Sequence, residues 1–192
     1  MLQETSGSEE IIDCASAAEW ETWLKTHYGQ PGGVWLRIAK KISGKTSVTI
    51  SDALDIALCY GWIDSQRKGY DQSYYLQRYS PRRPKSPWSK LNVERAEALM
   101  EAGRMQPAGL LEIEAAQKDG RWYAAYESQR NVSIPSDLEA ALAQNAQAKN
   151  TFSRLDKTSQ YAIILPILKA TTSGRRAARL QKAISKLEKK TR

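Results

Sequence analysis

Three prolines within seven residues, Pro81, Pro84 and Pro87, constrain this chain more than any other feature. Each fixes its own φ and lacks an amide hydrogen, so residues 80–87 are expected to be neither helix nor central strand. They predict an extended, exposed, semi-rigid arm. The patterning differs on its two sides. Before the arm, strand-like alternation is mixed with short helical signals; from Ser89 onward, apolar residues recur at helical spacing almost throughout. The expected fold class is therefore α+β: a small antiparallel sheet of about three strands with helices in the N-terminal part, then an all-helical C-terminal part. The expected divisions are a disordered tail over residues 1–14, an α+β part over 15–88, and a helical part over 89–192 ending in a basic helix.

Local signals place the elements. Ser16 and Glu19 form a capping box ahead of Trp20, Trp23, Leu24 and His27, which share one helical face. Pro31-Gly32-Gly33 stops that helix, and Val34, Leu36 and Ile38 alternate with Trp35 and Arg37 as in a half-buried strand. Thr49 or Ser51 caps a short helix that Gly61 ends in a left-handed conformation. Residues 62–68 and 73–79 read as a hairpin around Gly69. In the helical part, Pro107 is a favoured first helical residue, Ser136 and Glu139 suggest a second capping box, and Pro166 is expected to kink or divide its helix. Trp122, Tyr123 and Tyr126 are expected to pack a loop onto the core.

Charge is unevenly distributed. The net charge is +8, yet residues 61–90 hold seven basic against two acidic side chains and residues 172–192 hold eight against one. Cationic segments of this kind aim a field at an anion. No apolar run approaches the roughly 18–20 residues of a membrane span, and Glu4, Glu9 and Glu10 stand where an export signal would be basic. Cys14 and Cys59 are isolated in sequence, which points to reduced thiols and a cytoplasmic location. With one histidine, His27, neither a metal site nor a histidine-dependent triad can be assembled, and no phosphate loop or dinucleotide fingerprint is present, so no cofactor is expected.

The candidate site follows from this charge. Arg67, Arg78, Arg82, Arg83 and Lys90 lie close in sequence to Trp62, Tyr75, Gln77 and Trp88. Guanidinium forks beside aromatic faces suit phosphates, carboxylates and stacked bases. A groove built from the hairpin and the arm is the leading expectation, with an anionic small molecule or phosphate-bearing ligand as partner. Nucleic-acid binding through the arm and the C-terminal helix is the alternative. A third reading is an enzyme acting on a small anionic substrate, with Asp64 as acid or base. Trp62 with Gly61 also has a plain packing role open to it, and an Asp64 ion pair with Arg67 or Arg78 is the structural counterpart of the catalytic reading.

The segment Ala57-Leu58-Cys59-Tyr60-Gly61-Trp62-Ile63-Asp64-Ser65-Gln66-Arg67 resembles the signature of the YdeI/OmpD-associated (bacteriocin-protection) family. So do Leu76-Gln77-Arg78-Tyr79-Ser80-Pro81-Arg82-Arg83, Trp88-Ser89-Lys90, Gly103-Arg104-Met105 and Asp119-Gly120-Arg121-Trp122, together with the terminal Arg-rich helix. The resemblance extends from about Trp20 to Lys190. It implies a stress or antimicrobial-peptide tolerance factor, and the family also carries a link to an outer-membrane porin; contact with a porin is not expected of a cytoplasmic chain.

Overall fold

The computed structural model describes residues 10–189, which form two compact units: residues 10–86 with 92–123, and residues 87–91 with 124–189. The first is built on β1 (Ile11–Asp13), α1 (Ala17–His27), β2 (Val34–Ala39), α2 (Ile50–Cys59), β3 (Trp62–Gly69) and β4 (Tyr74–Pro81). Helices α3 (Lys90–Glu101) and α4 (Pro107–Lys118) follow, the first two residues of α3 falling in the second unit. The α+β class is as expected. The sheet has four strands in the order β1-β2-β4-β3, and it is mixed because β1 runs parallel to β2. A three-residue strand leaves no periodicity to read, so Ile11–Asp13 was hidden inside the expected disordered tail. Residues 1–9 of that tail lie outside the described residues.

The alternation of β2 sets the layers. Val34, Leu36 and Ile38 share a face with Tyr75, Gln77 and Tyr79 of β4, and the Trp20 ring of α1 lies 5.5 Å from the Tyr79 ring on that side. The cap expected at Ser16 is present: its hydroxyl accepts from the Glu19 amide at 3.3 Å, while Glu19 accepts from the Ala15 amide at 2.9 Å. Trp20 and Leu24 are buried, whereas His27 is exposed and stacks on Trp23 at 4.4 Å. Thr49 caps α2 by accepting from the Asp52 amide at 3.1 Å. Gly61 follows α2 with φ +76°, the left-handed stop its sequence suggests.

The second unit contains α5 (Ser136–Ala143), α6 (Ala146–Ser153), α7 (Lys157–Leu168) and α8 (Ser173–Lys189). Its core gathers Leu138, Leu142, Phe152, Ile164, Ile167 and Leu187. Two expectations change here. Pro166 does not divide α7, because it sits in the last turn where the missing amide interrupts little. The second capping box is absent: Pro135 is the N-cap, and the nearby Asp137 carboxylate is held by Arg176 of α8 at 2.6 and 2.9 Å. Arg176 also donates to the Ile167 carbonyl at 3.2 Å, so one guanidinium ties α5, α7 and α8.

That pairing has a pH signature. Hydrogen bonding from Arg176 holds the Asp137 carboxyl below its ordinary value of 3.8, against the opposing effect of desolvation. A depressed carboxylate contributes stability fully above its unfolded value and loses it as pH falls through the folded one. Asp137→Asn is therefore expected to cost about 1–2 kcal/mol at neutral pH. The gap to the parent narrows below about pH 4, as the parent carboxylate itself becomes protonated. Denaturant titrations of both proteins at neutral and acid pH measure it, and a pH-independent gap contradicts the assignment.

Candidate functional site

The hairpin β3–β4 is not a regular ladder. Asp64 pairs with Tyr79 and Arg67 with Gln77, so the register breaks between Asp64 and Arg67 and leaves Ser65 and Gln66 as a bulge. A bulge bends its strand and re-aims side chains. Gln77, buried in β4, fixes this one: its amide donates to the Gln66 carbonyl at 3.1 Å and its oxygen accepts from Arg67 Nε at 3.0 Å. Arg67 then lies over the Tyr75 ring at 4.7 Å. These three residues are brought together, with Gln77 taking a structural part that sequence reasoning did not foresee.

On the sheet face away from α1, cationic side chains cover aromatic ones. Lys68 Nζ sits 3.9 Å from the Trp35 ring centre and Arg78 5.7 Å from it, while Arg37 lies over Tyr74 at 4.7 Å. Trp35 is thereby buried, although its alternation pointed it outward. Beside this layer opens a cleft of about 420 Å³. The Pro31-Gly32-Gly33 turn forms one wall, and Ile63, Ser65 and Gln66 of the bulged strand another. Arg78, Ser80 and Pro81 of β4, with Arg83 and Ser86 beyond it, complete the lining. No carboxylate lines it. The lining residues carry two guanidinium groups, three hydroxyls and an amide, which is the chemistry of an anion site. The Ser86 hydroxyl oxygen is buried and has no hydrogen-bond partner among the described residues. Arg83 is exposed at the rim, and its side chain is in no ion pair among them.

The proline arm is tied down rather than free. Pro81 ends β4 opposite Trp62, two residues beyond Tyr79, the last β2 partner, so its missing amide breaks no ladder bond on that side. Arg82 is buried, and its amide donates to the Gly61 carbonyl at 3.0 Å. The Ser86 amide donates to the Arg83 carbonyl at 3.0 Å, closing a turn with Pro84 second and Lys85 at φ +62°. Arg121, paired to Asp119 at 2.7 Å, donates to the Ser86 carbonyl at 2.8 Å. Each bond removes freedom that the sequence had suggested for an exposed arm.

The remaining candidates lie elsewhere. Trp62 is in the core, its indole N–H donating to the Tyr28 carbonyl at 2.8 Å. Asp64 is half-buried beside Tyr79 on the helix-covered face and does not line the cleft. Burial, and then the Asp64 charge, push the Tyr79 phenol well above its ordinary range. Trp88 and Lys90 belong to the second unit, where the Tyr126 amide donates to the Trp88 carbonyl at 3.0 Å and Lys90 pairs with Glu127. Trp122 is buried as expected, but Tyr123 is exposed. Sequence reasoning missed Ser65, Gln66, Ser80 and Ser86, whose only signal was polar side chains near arginines, and it read Pro31-Gly32-Gly33 as the break between a helix and a strand, not as part of a site. Among the described residues, no cluster of His, Cys, Asp and Glu could hold a metal ion, and no helix is long and apolar enough to cross a membrane.

Two family profiles match the chain. A domain of unknown function (DUF8412) matches residues 12–112, and the family described as bacteriocin-protection, YdeI or OmpD-associated matches residues 131–190. The second match is shorter than the resemblance from Trp20 to Lys190 suggested, and the Ala57–Arg67 signature lies in the first. No curated protein and no solved structure matches the chain. The cleft therefore lies wholly within the first match, residues 131–190 are similar to the second family, and the chain belongs to the family of that domain of unknown function.

Proposed function

We propose that this protein binds a small phosphate- or carboxylate-bearing ligand in the cleft between the Pro31–Gly33 turn and the β3–β4 hairpin. The observation that carries the reading is the donor set of Arg78, Arg83 and the buried, unpartnered Ser86 hydroxyl in a cleft with no acidic lining. A buried polar atom without a partner calls for one, and an anion's oxygens would supply it. The rigid turn at residues 83–86 supports the same reading, since a preorganised donor loses less entropy on binding. Any tolerance role would then be indirect, through the bound anion, because a chain of net charge +8 repels cationic peptides. Cys14 and Cys59 are free thiols, which supports work in a reducing compartment such as the cytoplasm.

Calorimetric titration with inorganic phosphate, pyrophosphate, citrate and a sugar phosphate tests the reading. At least one is expected to bind. Arg83→Ala is expected to weaken it about tenfold or more, as loss of a charge-assisted hydrogen bond implies, with the unfolding midpoint unchanged. Arg78→Ala should weaken it comparably, and Arg82→Ala should lower stability instead, because Arg82 is buried. Failure of all four anions to bind the parent, or unaltered binding by the Arg78 and Arg83 variants, removes the proposal.

A further inference from the structure

Residues 157–187 carry seven cationic side chains and not one aspartate or glutamate. Folding uses some of this charge. Arg176 is held by Asp137, and Arg179 donates to the Pro166 carbonyl at 2.5 Å. Folding also uses the apolar face of α8, since Leu180, Ile184 and Leu187 pack with the core of the second unit. A basic amphipathic helix reads as a membrane-surface element when its apolar stripe is free. Here the stripe is occupied, and α8 has nothing left to insert.

What stays open is a groove of about 290 Å³ between α7 and α8. Its floor is aliphatic, made of Ala162, Ile163, Pro166 and Ala183, and its rim is Arg179, Lys182 and Lys186. Those three recur at i, i+3 and i+7, so one helix face presents them in a row. Lys182 and Lys186 are exposed and have no ion-pair partner among the described residues. Pro166 has no N–H to give the Ala162 carbonyl four residues earlier, which leaves that oxygen without its usual helical donor beside the same groove.

We propose that this groove docks an acidic, amphipathic segment of a partner protein. Its carboxylates meet Arg179, Lys182 and Lys186, and its apolar side chains lie on the aliphatic floor in the manner of a helix in a groove. Charge complementarity selects an acidic partner. The floor selects among acidic partners: phosphate neutralisation needs no aliphatic surface, and base stacking needs aromatic faces, which this groove lacks.

The probe is a fluorescein-labelled peptide of about 15 residues, long enough for a few helical turns, with glutamates on one face and leucines on the other. Titrated with the full chain at low salt, it is expected to give saturable anisotropy. Lys182→Glu combined with Lys186→Glu should weaken binding by more than about tenfold at an unchanged unfolding midpoint, while the paired Lys→Arg variant retains it. A peptide with serines in place of the leucines should bind at least about fivefold more weakly, since aliphatic burial is lost. Three results overturn the proposal: no binding of the glutamate–leucine peptide, equal binding of the serine peptide, or tighter binding of oligothymidine that disappears in the Lys→Glu variant. The groove lies outside the Arg78–Arg83 cleft, so the outcome at either site leaves the other unaffected.

Discussion

Trp62→Ala is expected to cost the first unit about 3–5 kcal/mol, the range for truncating a fully buried large aromatic. The side chain is completely inaccessible and meets Trp20 and Trp23 edge-on, with ring centres 6.5 and 5.9 Å away. Edge-to-face pairs of this kind add to the value of the buried area. The indole N–H also holds the Tyr28 carbonyl just beyond α1, so the residue fastens that helix to the start of β3. Trp62→Phe separates the two contributions. It keeps an aromatic ring but removes the donor, and should cost about 1–2 kcal/mol. Against a total domain stability of about 5–15 kcal/mol, the alanine variant loses a large fraction. Urea denaturation followed by tryptophan fluorescence gives both values. A loss under about 1 kcal/mol for Trp62→Ala contradicts the packing role and returns the residue to the list of ligand contacts.

This residue illustrates how far the sequence could be read. Period and caps carried the elements: the Ser16 cap, the Thr49 cap, the Gly61 stop and the span of α8 are local events, and local signals announce them. What failed was long-range. The β1 strand has three residues and exists only because β2 offers it a parallel edge. The arm looked exposed because prolines report stiffness and not contacts, whereas the bonds from Arg82 to Gly61 and from Arg121 to Ser86 join residues 21 and 35 positions apart in the chain. For the site, charge density pointed to the hairpin and the arm, and Arg78 and Arg83 line the cleft there. The sequence could not separate them from Arg82, which turns inward, because three arginines within six positions have the same composition whichever way they face. Ser65 and Gln66 reach the cleft through a bulge, and a register shift leaves no mark in a one-dimensional pattern.

Gly109→Ala should show the same limit as a change of sign. Inside a helix, replacing glycine by alanine gains up to about 1 kcal/mol, so propensity alone predicts a more stable protein. The structure predicts a net loss of about 3 kcal/mol, at the upper end of ordinary overpacking. A Cβ on Gly109 would stand 2.3 Å from the Cys59 carbonyl oxygen, 2.8 Å from its carbon and 2.7 Å from the Met105 methyl. Methionine can move aside, but the carbonyl cannot: it already accepts from the Gln106 amide at 3.1 Å and lies at the end of α2. The opposite wall of the contact is also close, since a Cβ on Gly61 would meet the Ala108 carbonyl oxygen at 3.0 Å. Two glycines thus let α4 rest backbone-to-backbone on the turn that leads into Trp62, and α4 must lift to admit a methyl group. Gly174→Ala is the control, being a helical glycine in α8 whose added Cβ meets nothing within 4 Å. It should raise stability by about 0.5–1 kcal/mol. If denaturant titration finds Gly109→Ala as stable as the parent, then α4 does not rest on that turn, and the close approach that frames the start of β3 is wrong.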